Sequence, residues 1–221
     1  NQSSRYLSLV GLLLGALQAL VLVVTAQLLP FSIAVLVALM AGLVLTGAFH
    51  EDGLADTADG LGGGLSLERK LEIMKDSRVG TYGLVALLSV FLIKWQSLQA
   101  LETEAIWALV LVAGLSRATA VSLTFVLPYQ QLDALSKTKP IATSLQKRAL
   151  LWIWLFVLPL LYFVPLSLTL PLLATLILCF TLLFFYYRSQ LQGYTGDLLG
   201  AAQQVTELGL YLVWLIWWRQ Q

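Results

Sequence analysis

Residues 50–60 read His-Glu-Asp-Gly-Leu-Ala-Asp-Thr-Ala-Asp-Gly and place five ionisable side chains, four of them carboxylates, directly behind a long apolar stretch. Carboxylates at the end of a membrane span are costly, and a bound divalent cation is their cheapest explanation. On a helix turning 100° per residue, Asp52, Asp56 and Asp59 fall within an arc of roughly 60°, while Leu54, Thr57, Ala58 and Leu61 take the opposite face. Three hard oxygen donors on one stripe suit Mg²⁺, which keeps several waters and takes one or two carboxylates plus substrate phosphates. A cation so held can neutralise a diphosphate and stabilise a leaving phosphate, so the chemistry expected is phosphoryl transfer.

Glu51 points off the stripe of a regular helix and is an auxiliary ligand. Asp76 and Asp197 come from other connecting segments and could complete the shell; Asp197 opens the last apolar run, where free backbone N–H groups favour phosphate. His50, the one histidine, faces away from the aspartates on a regular helix. As general base on an attacking hydroxyl it competes with a structural, hydrogen-bonded role. Arg78 and Arg117 are the best phosphate clamps, because the guanidinium grips phosphate through two parallel bonds and stays charged when buried. Arg117 lies within a span, where a structural ion pair, for instance with Glu207, is the competing explanation. Lys137 and Lys139 precede Pro140 and reach either a phosphate or anionic lipid.

The elements that must position these residues are membrane helices. Of 221 residues 59% are hydrophobic and 11% charged, less than half the charged share of a soluble domain. The net charge of +1 gives no electrostatic case for nucleic-acid binding. The single cysteine, Cys179, excludes an intrachain disulfide and reads as a lipid-facing or packing residue. Apolar segments of spanning length are expected at Tyr6–Val24, Phe31–Phe49, Tyr82–Leu101, Ala105–Leu127, Ala149–Val164, Leu166–Tyr187 and Leu198–Trp218. Val24-Thr25-Ala26 resembles a signal-peptidase site, but the run before it is long and reads as a retained first span. The fold expected is all-α: one domain over 1–221, a polytopic bundle of about seven transmembrane helices, with six tolerable. Trp214, Trp217 and Trp218 read as interfacial anchors.

With the N-terminus inside, ten of the thirteen basic residues fall in cytoplasmic segments, leaving Lys94 and Arg219 opposite and Arg117 within a span. The longer polar connections, 50–81, 128–148 and 188–197, then share the cytoplasmic side, and the site faces the cytoplasm. Ser66 is a plausible N-cap, with Leu67, Leu71 and Met74 at i, i+4 and i+7 of a short amphipathic helix lying over the membrane surface or the site. Gly62-Gly63-Gly64 gives the chain freedom to turn into it.

The run Phe49–Leu61 resembles the signature of the cobalamin synthase family, membrane enzymes also called adenosylcobinamide-GDP ribazoletransferases. Similar to the same family are residues 72–83 (Glu-Ile-Met-Lys-Asp-Ser-Arg-Val-Gly-Thr-Tyr-Gly), Leu115-Ser116-Arg117, and 193–201 (Gly-Tyr-Thr-Gly-Asp-Leu-Leu-Gly-Ala). The resemblance covers nearly the whole chain, although the family usually has further residues ahead of the first one here. It implies Mg²⁺ as cofactor and adenosylcobinamide-GDP and α-ribazole, or its 5′-phosphate, as substrates. It also implies a multi-pass place in the bacterial inner (plasma) membrane. Thr195, inside the last motif, is implied as substrate-binding beside Arg78, Arg117, Lys137 and Lys139. An oligomer is compatible with this picture. The rival readings are a CDP-alcohol phosphotransferase, which typically places Arg after the Ala where Asp56 stands here, and a cation or proton transporter. The short, nearly uncharged connections near Gln27–Pro30 and Val164–Leu166 argue against an aqueous path.

Overall fold

The computed structural model describes residues 5–130 and 147–221. The apolar segments form helices: α1 (Leu7–Thr25), α2 (Phe31–Thr46), α5 (Thr81–Leu101), α6 (Ala105–Ser122), α8 (Leu166–Leu191) and α9 (Gly196–Trp218). Two shorter helices, α3 (Phe49–Gly63) and α4 (Leu67–Met74), fill the first long polar connection, and α7 (Lys147–Leu155) leads into a 3-10 turn over Leu158–Phe163. Among the described residues the only β pairing is an isolated bridge between Tyr129 and Tyr194. The protein is an all-α membrane protein.

Among the described residues three helical stretches are long and apolar enough to cross a bilayer: Leu7–Thr25, Thr81–Phe125 and Leu166–Leu191. A fourth is reached if α2 and α3 count as one broken span. A break at Glu102, where φ is 53°, divides the second stretch into α5 and α6. The count of seven is therefore not established among the described residues. α7 stops after nine residues, and α9 carries Asp197, Gln203, Gln204 and Glu207, which lower its hydropathy.

Small residues set how closely the bundle packs. Gly11 and Gly15, four apart on α1, lie against the backbone carbonyls of Ala113 and Leu109 on α6, where a side chain would collide. This is the small-xxx-small contact that lets membrane helices approach at backbone distance. Ser8 Oγ, on the same face, donates to the carbonyl of Ile153 at 2.6 Å. The main core of leucines, alanines and valines joins α1, α2, α5, α6, α8 and α9. Trp214 belongs to it at 1% exposure, so it is a core residue rather than the interfacial anchor expected.

α2 ends on Gly47 and Ala48, both left-handed (φ 63° and 55°), and the chain turns 87° into α3. That corner lays α3 across the starts of α5 and α9. Ser66 caps α4 as expected, its Oγ accepting from the Arg69 N–H at 3.2 Å. Leu71 and Met74 of α4 pack with Leu183, Tyr187 and Leu198 of α8 and α9, so this amphipathic face is spent on the protein rather than on lipid. Gly62 and Gly63 are helical and Gly64 is extended at φ −94°, so the triple glycine is no flexible joint. Gly62 admits the Tyr82 ring and Gly64 admits Lys70, each where a Cβ would be too close.

Candidate functional site

α3 carries the site and presents two faces. Gly53 lies against the backbone of Asp197, the second residue of α9, and a Cβ there would stand 2.7 Å from the Asp197 carbonyl oxygen. Gly200, one turn further along α9, faces the backbone of His50 and Gly53. This contact brings Asp52 and Asp56 of α3 beside Asp197. Burial, then the neighbouring charges of Asp52, Asp197 and Asp59, push the Asp56 carboxyl up from 3.8 to about 7. The four acids form one field of negative charge at the α3–α9 crossing.

Gly53→Ala is expected to pry this crossing apart and cost about 1–3 kcal/mol. Gly196→Ala, with nothing within 4 Å of the new carbon, is expected to be neutral. Thermal denaturation of the two variants in detergent separates them.

Asp59 has a further role at the start of α5. Its Oδ2 accepts from the Gly80 N–H at 2.7 Å and its Oδ1 from the Gly83 N–H at 2.9 Å. It supplies acceptors to the otherwise unpaired first turn of that helix. Asp76 stands apart, bound to Arg78, whose Nη2 lies 2.6 Å from Asp76 Oδ2. These hydrogen bonds hold the Asp76 carboxyl down at about 2. Arg78 is 87% exposed and is not brought to the acidic field. Thr195 caps α9, its Oγ1 accepting from the Leu198 N–H at 3.2 Å. The loop before it is pinned by bonds between Tyr194 and both Pro128 and Gln130, each 2.9 Å. Lys137 and Lys139 lie outside the described residues. Among the described residues no three His, Cys, Asp or Glu side chains are grouped to close around a metal ion.

The other face of α3 looks into the bundle. His50, Glu51 and Leu54 line a cavity of about 350 Å³ that Arg117 also lines, while Asp52, Asp56, Asp59 and Asp197 do not. As the helical geometry requires, His50 is turned away from the aspartates. A buried polar chain lines the same cavity. Lys94 Nζ pairs with Glu207 Oε2 at 3.0 Å and donates to Gln204 Oε1 at 2.6 Å. Gln204 Nε2 donates to Glu51 Oε1 at 2.8 Å. Gln203 Nε2 and the Tyr211 hydroxyl add bonds to Glu207 of 2.7 and 3.2 Å. Arg117 Nη1 donates to the Ala113 carbonyl at 2.9 Å, and the ion pair to Glu207 is made by Lys94 instead.

The model of the cobalamin-5-phosphate synthase family matches residues 1–215. The chain belongs to that family. Over 96% of its length it is 49% identical to a protein of Shewanella frigidimarina named adenosylcobinamide-GDP ribazoletransferase, covering 83% of that protein. A protein of Shewanella amazonensis with the same name is 46% identical over 100% of this chain and 86% of its own. No solved structure matches. The resemblance read from the four motifs is borne out, and the chain is a transferase of the cobalamin nucleotide-loop assembly step.

Sequence reasoning missed the inward network of this synthase-family chain. Lys94 was placed on the non-cytoplasmic side, but it is 6% exposed and tied to Glu207. The available signal was its position well inside a span, where an ionisable residue demands a partner. Gln203 and Gln204, 1% and 3% exposed, gave no such signal because neutral amides pass unnoticed in a hydropathy profile.

Proposed function

We propose that the chain joins adenosylcobinamide-GDP to α-ribazole or its 5′-phosphate at the cytoplasmic edge of the bacterial inner membrane, releasing GMP. The sugar hydroxyl oxygen of the acceptor forms a bond to the phosphorus attached to cobinamide. The bond from that phosphorus to the bridging oxygen breaks, and GMP leaves with the electron pair. The hydroxyl proton passes to a base at the α2–α3 corner, for which His50 is the candidate.

The observation that carries this reading is the α3–α9 crossing at Gly53 and Gly200, which sets Asp52 and Asp56 beside Asp197. Such a field fits a divalent cation that takes one or two carboxylates and fills its shell with water and phosphate; it does not form a closed protein cage. One or two of Asp52, Asp56 and Asp197 would hold Mg²⁺, while the Asp59 oxygens stay with the Gly80 and Gly83 N–H groups. When bound, the cation would neutralise charge on the diphosphate and on the departing phosphate. Asp76 and Arg78 belong to the exposed turn ahead of α5, from which Arg78 would approach the nucleotide phosphates. The excess of basic residues in the polar connections supports the cytoplasmic orientation.

Membranes containing the chain, given adenosylcobinamide-GDP, α-ribazole phosphate and Mg²⁺, are expected to release GMP and form cobalamin phosphate in equal amounts. Absence of both products, with the protein present and folded, would overturn the reading.

A further inference from the structure

The cavity under α3 is built on a different plan from the acidic field. Leu39, Leu43, Leu84, Leu87, Leu88 and Phe91 from α2 and α5 give it an apolar lining, and His50, Glu51, Arg117 and the Lys94–Glu207 chain line it as well. At about 350 Å³ it lies near the lower bound of small-molecule sites. That suits a bicyclic ring with part of a sugar and excludes a whole corrinoid.

One of its polar atoms waits for a donor. Glu51 Oε1 is held by Gln204, while Glu51 Oε2 is buried without a hydrogen-bond partner among the described residues. A buried acceptor left unmade costs free energy that an incoming hydroxyl would recover. The cavity also reaches the corner before the acids: Ala48 lines it, and the Asp52 N–H donates to the Ala48 carbonyl at 2.9 Å. A ligand seated below α3 would therefore emerge one helical turn from the acidic field.

Resting on the transferase reading above, we propose that this cavity holds the benzimidazole ring of the acceptor nucleoside, with Glu51 Oε2 accepting a hydrogen bond from its sugar. Of the bases in the two substrates, the less polar one suits the leucine and phenylalanine side of the lining best. The dimethylbenzimidazole of ribazole carries methyl groups and no exocyclic polar atom. The assignment makes Glu51 a substrate-binding residue instead of an auxiliary metal ligand, with the base below α3 and the sugar toward the corner that leads to the acidic field.

The test is direct binding of α-ribazole, followed by its own fluorescence, to the full chain in phospholipid nanodiscs without corrinoid or Mg²⁺. Leu87→Trp, which fills the cavity, is expected to weaken ribazole binding at least about tenfold, and Glu51→Gln to weaken it less. In turnover, Leu87→Trp is expected to raise KM for ribazole while changing KM for adenosylcobinamide-GDP by less than about twofold. Leu43→Phe repeats the test should Leu87→Trp fail to fold. Unchanged ribazole affinity in a folded cavity-filling variant would overturn the inference, as would ribazole binding displaced equally well by guanosine. A wild-type protein that binds ribazole but yields no GMP would leave the cavity standing and sink the transferase assignment instead.

Discussion

Asp56→Asn is expected to lower GMP release at least about 100-fold, the scale on which a charged group facing a transition state acts, while the folded protein becomes more stable at pH 8. The two effects have one cause. Burial and the charges of Asp52, Asp197 and Asp59 raise the Asp56 carboxyl from 3.8 to about 7. In that window the folded chain binds a proton that the unfolded chain has released, so stability falls as pH rises from about 4 through about 7. Asparagine removes the charge and with it this loss. Asp59→Asn is expected to lower stability instead. Its two carboxylate oxygens accept from Gly80 and Gly83 at 2.7 and 2.9 Å, and an amide nitrogen in place of one oxygen would set a donor against a donor. A cost of about 1–3 kcal/mol follows for the polar group left unmade. Melting curves of both variants between pH 5 and pH 8, with and without added Mg²⁺, decide the matter. Wild type should lose stability across that range and recover it with Mg²⁺, Asp56→Asn should do both less because only Asp197 of the raised pair remains, and Asp59→Asn should melt lower throughout. Identical behaviour of the two variants would refute the division between an acid that repels its neighbours and one that caps a helix.

The acidic stripe was legible because it is local. Asp52, Asp56 and Asp59 lie one or two turns apart, and 3.6 residues per turn aligns them whatever surrounds the helix. The Ser66 cap and the Leu71–Met74 face of α4 were legible for the same reason. What the stripe faces was not, because that depends on which helices meet. Gly53 reads locally as a helix weakener, yet its role is set by the Asp197 backbone, 144 positions on. The glycines at 62–64 read as a joint and prove to be sites of close approach to Tyr82 and Lys70. Trp214 reads as an anchor near the chain's end and is buried because α9 runs through the core.

The largest stability effect is expected from Glu207→Leu, which strands Lys94 without its counter-charge in the middle of the bundle. Both side chains are over nine-tenths buried and 3.0 Å apart. Breaking a buried pair by removing one partner costs about 3–5 kcal/mol, since the remaining charge is neither solvated nor paired. Lys94→Met should be comparably harmful, leaving a carboxylate that still accepts from Gln203 and Tyr211 at 2.7 and 3.2 Å. The double variant Lys94→Met, Glu207→Leu removes both charges and is expected to recover most of the lost stability, because apolar replacement of a whole buried pair is often neutral. Its activity is the informative measurement. Lys94 also donates to Gln204, and Gln204 holds Glu51 at the first turn of α3, so the network ties the bundle to the helix that carries the acids. If the double variant melts like wild type yet turns over slowly, the pair serves to fix the register of α3. If it melts and turns over like wild type, the pair serves only to satisfy itself, and the position of α3 rests on the glycine contacts with α9.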